Sequence, residues 1–169
     1  YISVTGVQTC ALPIWLAGTL GGMFVAGCAN YTPASNLALF SRAAPQPQAV
    51  VATRPLVAAE RAAQQNAGDF ALVGAGGSMS PGYPPGTAVV VRPCALKSLS
   101  RGQIAVYRNR RGFFVAHLLV EDMPGGWFAM GLGNSEPDEE LVTAQNLVGV
   151  VVAAFTEAGE MSASSPAAQ

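Results

Sequence analysis

The stretch QIAVYRNRRGFFVAHLLVEDMPGGWFAMGL, residues 103–132, decides how this chain folds. Three apolar runs, QIAVYR, FFVAHLLV and WFAMGL, are separated by NRRG and DMPGG. β-Branched and aromatic side chains suit a pleated surface, whereas clustered Gly, Pro, Asn and Asp suit turns. Runs of this length with such short breaks predict strands joined by hairpins. The same alternation continues outward, with DFALVGA and TAVVVRP before this stretch and LVGVVVAAF after it, and with PGYPPG, SRG and GNSEPD as breaks. Six strands follow, and no gap has room for a long crossover helix. The expected fold is therefore all-β, with mostly antiparallel, partly barrel-like sheets over residues 69–155.

Composition narrows the function. The chain has 169 residues, enough for one domain with a real core. Only 11% of them are charged, with a formal net charge of -1, so no basic face is expected to bind nucleic acid. The three cysteines, Cys10, Cys28 and Cys94, are far apart, and there is one histidine. These cannot supply the three or four convergent ligands of a metal site, and they form no disulfide framework. No cofactor is called for.

The N-terminal part reads as a delivery segment. Residues 11–28, ALPIWLAGTLGGMFVAGC, carry no charge and fit the core of a secretory signal better than a full membrane span. The ending VAGC resembles the lipobox of bacterial lipoproteins, which implies lipid attachment at Cys28 and a place in the bacterial cell envelope, membrane-anchored and facing the periplasm or exterior. No basic residue precedes Arg42, and the opening YISVTGVQTCALPI looks like translated adapter sequence. Residues 1–14 are therefore set aside as non-native, and 15–28 taken as the signal and lipobox segment. Residues 29–68 read as a linker, mixed in Pro, Ala, Ser and Gln, with one short helix at Val57–Ala67. Residues 156–169, small and polar, read as a disordered tail.

Few residues can do chemistry. Ser78 lies in GAGGSMSPGYPPGT, residues 74–87, where Gly74, Gly76 and Gly77 permit a tight turn or a close backbone approach. A serine hydroxyl needs an adjacent base. The chain offers one lysine, Lys97, and one histidine, His117. Lys97 sits in CALKSLSRG, which reads as an exposed turn, and a solvated lysine is protonated near neutral pH and accepts no proton. His117 lies among Val115, Ala116, Leu118 and Leu119, so it is either a core histidine bonded to a carbonyl or the base for Ser78.

The order GGSMSP, PPGTAVVV, RGQIAVYRN, FFVAHLLV, GLGNSEPDEELVTAQNLVGVVV resembles the ordered motifs of the signal peptidase I and LexA-type serine peptidase superfamily. The likeness spans Phe70 to Phe155, about half the chain. It implies a serine endopeptidase that works through an acyl-enzyme on Ser78, on peptide or protein substrates bound in extended form, with small side chains near the scissile bond. Most bacterial members use lysine as base. The matching position here holds His117, which is similar to archaeal and endoplasmic-reticulum signal peptidases and implies a Ser78–His117–acid triad. Among the candidate acids Asp138 matches the family's later aspartate, with Glu136 in reserve. Such a base acts only while neutral, so activity is expected to fall as pH drops through about 6 to 7, the ordinary histidine range. The chain departs from the family at Gly76, where many members carry an oxyanion-binding serine, and at Gln103, Leu118 and Leu132. Those departures keep open a catalytically silent peptide-binding module of the same fold, and the linker keeps open a self-cleaving LexA-type peptidase. A DNA-binding repressor is the weakest reading, since the N-terminal part shows no basic helix-turn-helix pattern.

Overall fold

The computed structural model describes residues 31–50 and 54–158. The lipobox reading at Cys28, the adapter-like opening and all but the first three residues of the expected tail lie outside the described residues. In chain order the elements are α1 (Pro33–Ala43), β1 (Pro47–Val50), α2 (Pro55–Ala63), β2 (Phe70–Val73), β3 (Ala88–Arg92), β4 (Ile104–Arg108), β5 (Phe114–Met123), β6 (Gly126–Met130) and β7 (Leu147–Glu157), with a single 3-10 turn at Leu96–Ser98.

The described strands form one seven-stranded sheet in the order β2-β3-β7-β4-β5-β6, and β1 is added alongside β7. All ladders are antiparallel except β1–β7. β7 is the organising strand. One of its edges carries β3, while the other carries β4 near Leu147–Val150 and β1 along Ala154–Glu157. The sheet is mostly antiparallel as expected, but it runs from β2 at one edge to β6 at the other and does not close into a barrel.

Strand β4 shows how the sequence fixes the packing. Ile104, Ala105, Val106 and Tyr107 are all buried, so the run has no polar face. Ile104 and Val106 enter one apolar cluster with Met79, Tyr83, Val89 and Leu118, while Ala105 and Tyr107 enter a second with Leu99, Leu119 and Val142. This is the period of two expected of a strand covered on both sides. The turns predicted at NRRG and DMPGG close with Gly112 and Gly125 at φ 81 and 95, a left-handed region that costs glycine little.

The segment 29–68 differs most from its reading as a linker. Thr32 caps α1, its hydroxyl accepting from the Ser35 N–H at 3.1 Å while Ser35 returns the bond, and Pro33 opens the helix. Phe40 of α1 is buried at 2% exposure against the ring of Tyr83, 5.0 Å away edge to face. β1 then pairs with β7, and α2 buries Ala59 and Ala63 on Ala88, Val90 and Phe155. The α2 boundaries precede the expected Val57–Ala67 because Pro55 starts the helix. At the other end β7 runs to Glu157, past the expected domain limit at residue 155, because β1 supplies a partner for its last residues. Among the described residues no helix is long and apolar enough to cross a membrane.

Where β3 and β7 cross, a Cβ added at Gly149 would drive into the Arg92 carbonyl. Gly149→Ala should therefore lower stability by about 1–3 kcal/mol through overpacking. A denaturant midpoint unchanged from the parent would show that the crossing relaxes instead.

Candidate active site

Ser78 follows β2 in a loop necked by two backbone bonds, Gly74 N–H to Thr87 O at 2.9 Å and Gly86 N–H to Gly74 O at 2.8 Å. Inside it, Ser80 N–H donates to Gly77 O and Tyr83 N–H to Met79 O, and the Ser80–Pro81 peptide bond is cis. Met79 and Tyr83 are buried in the main cluster, so the loop is pinned to the core directly after an exposed Ser78. Tyr83 also donates its hydroxyl to the Pro45 carbonyl at 2.6 Å, and burial pushes its phenol far above the ordinary range.

His117 projects from β5 and leaves 12% of its side chain exposed. Its Nε2 lies 2.9 Å from Ser78 Oγ, and its Nδ1 lies 2.6 Å from Asp138 Oδ2. With Nδ1–H donating to the carboxylate, Nε2 presents a lone pair to the serine hydroxyl. Asp138 is itself placed by the sheet, its backbone N–H donating to Ala129 O of β6 at 2.8 Å. The three residues singled out from the sequence therefore form one hydrogen-bonded line, although they are brought together from a loop, a strand and a second loop.

The other candidates stand apart from it. Glu136, the reserve acid, is exposed and outside the relay. Lys97 is exposed in the 3-10 turn and lines none of the hollows beside Ser78. At Gly76, where the motif the sequence resembles often has a serine, a Cβ would meet nothing within 4 Å, so the position is open space. Among the described residues the Ser78 backbone N–H takes part in no backbone hydrogen bond, which leaves it as a donor for developing negative charge. Leu132, where the motif the sequence resembles has an aspartate, is 1% exposed in the core beside Phe40 and Gly82. Gln103 accepts from the Ser100 N–H at 2.8 Å and so holds the turn before β4.

Two residues of this site carry no clear signal in the sequence. Tyr107 of β4 donates its hydroxyl to Asp138 Oδ2 at 2.6 Å, the same oxygen that His117 engages. Burial first, and then the bond and charge of Asp138, push its phenol far above the ordinary tyrosine range. Its alternation in QIAVYR predicts which way it faces, but not its partner. Asn36 of α1 is 2% exposed; its amide donates to the Asn134 carbonyl at 2.9 Å, with the Gly131 carbonyl at 3.5 Å. A polar residue on the apolar side of a helix was its only mark.

The Asn36 bonds matter because the loop they hold backs onto the serine. A Cβ at Gly131 would lie 2.7 Å from the Ser78 carbonyl oxygen and 3.1 Å from its Cβ. α1 thus steadies Gly131–Asn134, and that loop in turn steadies Ser78.

A cleft of about 420 Å³ opens beside Ser78 and His117. Its walls are Val73–Gly76, at the end of β2 and just beyond it, and Phe114–His117 of β5, with Leu72, Val89 and Val106 as floor. β2 is an edge strand, and β6 pairs with β5 only from Leu118 onward, so both walls offer unpaired strand edges. No Asp, Glu, Lys or Arg side chain is among its lining residues.

Comparison with known protein families and with curated proteins finds no match for this chain.

Gly131→Ala should shift Ser78 while leaving the core intact. The expected result is a fall in the rate of Ser78 labelling by a fluorophosphonate probe on the order of 100-fold. Full labelling with unchanged melting would separate that loop from the serine.

Proposed function

We propose that this protein is a serine endopeptidase of signal peptidase I type, and the observation that carries the reading is the Ser78–His117–Asp138 line ending in a two-edged apolar cleft. A peptide chain laid between the β2 and β5 walls would hydrogen-bond to both as an added strand, with its side chains alternating into the Leu72, Val89 and Val106 floor. That mode favours an extended segment with uncharged residues ahead of the scissile bond.

The chemistry follows from the geometry. Ser78 Oγ attacks the substrate carbonyl carbon as its proton passes to His117 Nε2, and the tetrahedral oxyanion is met by the Ser78 N–H. The C–N bond then breaks, and His117 returns the proton to the leaving amine. Water, deprotonated by the same imidazole, attacks the ester and frees the serine. Asp138 keeps Nδ1 protonated and stabilises the imidazolium throughout.

The anchor reading fits the same function. Tyr31 donates its hydroxyl to Glu121 of β5, and burial followed by that bond pushes its phenol up to about 12. Cys28 lies three positions before it, a span of at most about 10 Å. A lipid on Cys28 would hold the cleft close to the membrane face, where its substrates would be envelope proteins.

Labelling with a serine-reactive probe across pH 6 to 9 tests the reading. Uptake should vanish in Ser78→Ala, and Asp138→Asn should lose roughly 10³–10⁴-fold in turnover by misplacing the imidazole proton. Parent protein labelled no better than Ser78→Ala would leave a peptide-binding module in place of the enzyme. Retained turnover in His117→Ala would remove the histidine from the mechanism.

The open space at Gly76 supplies a gain-of-function test. Gly76→Ser adds a hydroxyl where the oxyanion forms, and kcat should rise at least about tenfold with KM little changed. Equal kcat would mean that this hydroxyl does not reach the oxyanion.

A further inference from the structure

Tyr107 and His117 lie on adjacent strands whose register pairs Tyr107 with Val115 and Ala105 with His117. Both are therefore on one face, and both converge on a single atom, Asp138 Oδ2, at 2.6 Å each. An oxygen that accepts two short bonds divides its negative charge between them. A phenol that stabilises the carboxylate leaves less of that charge to stabilise an imidazolium.

We propose that Tyr107 is a positioning residue, which holds Asp138 toward His117 and limits the charge that the carboxylate offers it, so setting the pH at which the imidazole is free to act as base. This rests on the relay described above. The buried, strongly held phenol remains a proton donor throughout the range in which a histidine titrates. It also sits in the second apolar cluster, with Leu99, Leu119 and Val142 around its ring, so its hydroxyl has little freedom to leave Asp138.

The remaining charged groups near Asp138 come from two directions. Glu139 and Glu140 lie on its own loop, and Arg110 and Arg111 lie in the β4–β5 turn; all four line a hollow of about 380 Å³ with Tyr107, His117 and Asp138. Glu140 is engaged by the Arg110 backbone N–H at 3.0 Å, and its carboxylate lies 3.8 Å from the Arg110 guanidinium. Glu140 also contributes to the upward push on Tyr107, after burial and Asp138. On the cleft side the neighbour is the neutral Ser78 hydroxyl. Of these groups only Tyr107 and His117 hydrogen-bond to the Asp138 carboxylate.

Because the chain has one histidine, a nitrogen-15 NMR titration of the imidazole reports His117 without assignment. In Tyr107→Phe the carboxylate charge is no longer shared, so the titration midpoint should rise by about 0.5 to 1 pH unit. A ring-fluorinated tyrosine inserted at 107, of similar shape but a stronger donor, should move the midpoint down. The acid limb of the pH–turnover profile should follow both shifts. Midpoints within about 0.2 unit of the parent in both variants, or a fall in Tyr107→Phe, would overturn the proposal. Native amide spectra and melting in both variants exclude a folding defect. Parent protein that takes up no probe at Ser78, yet shows both shifts, would sink the peptidase reading and leave the role of Tyr107 standing.

Discussion

The pairing of β4 with β5 is the constraint on which the site depends. In this register Ala105 faces His117 and Tyr107 faces Val115, so the imidazole and the phenol emerge on the same face of neighbouring strands. A slip of one residue would turn His117 into the main core and bring Leu118 out in its place. The slip is opposed by burial of every residue from Ile104 to Tyr107, and by Leu118, Leu119 and Val120 in the partner strand. The hydrophobic pattern that makes the sheet therefore also aims the only histidine. No separate device is required to orient it beyond the carboxylate that meets its Nδ1.

A second level of support comes from elements that do not touch the reacting atoms. Helix α1 buries Phe40 against Tyr83 and Leu132, and its Asn36 holds the loop behind Ser78. The serine loop is thus gripped from the core by Met79 and Tyr83 and from behind by Gly131. For the nucleophile proposed here, exposed on a loop, such a grip matters, because misplacement of about 1 Å is enough to cost catalysis heavily. The segment between Tyr31 and Val50 is in this sense part of the site and not a tether to it.

The six strands from β2 to β7 were legible in the sequence because each combines apolar runs with turn residues that break them. Ser78, His117 and Asp138 were legible through their order along the chain and the scarcity of other bases. β1 was not, since PQAV opens with proline and has no alternation; its pairing depends on the free end of β7. α1 could have been read from Thr32 and Ser35, which form a capping box, and from Pro33 at its first turn, but the prolines and alanines around it have the composition of a linker. The barrel-like expectation failed to anticipate that β2 and the first half of β5 leave their edges open. Tyr107 and Asn36 act through contacts between residues 31 and 98 positions apart, which no local pattern encodes.

The positions that differ from the peptidase motifs the sequence resembles are not scattered. Leu132 stands where those motifs have an aspartate, and its buried side chain packs with Phe40 against Gly82. Gln103 keeps a hydrogen-bonding role at the start of β4. Leu118, next to the histidine, points into the core because its neighbour points to Asp138. A charged residue at either leucine would be buried in apolar surroundings without a partner, at considerable cost. These residues agree with one another: α1 packs apolar side chains behind the serine loop, and the polar contacts are gathered into the line from Ser78 through His117 and Asp138 to Tyr107. Gly76 is the exception, since nothing fills the space its missing side chain leaves. In the proposed chemistry, stabilisation of the oxyanion therefore falls to backbone N–H groups.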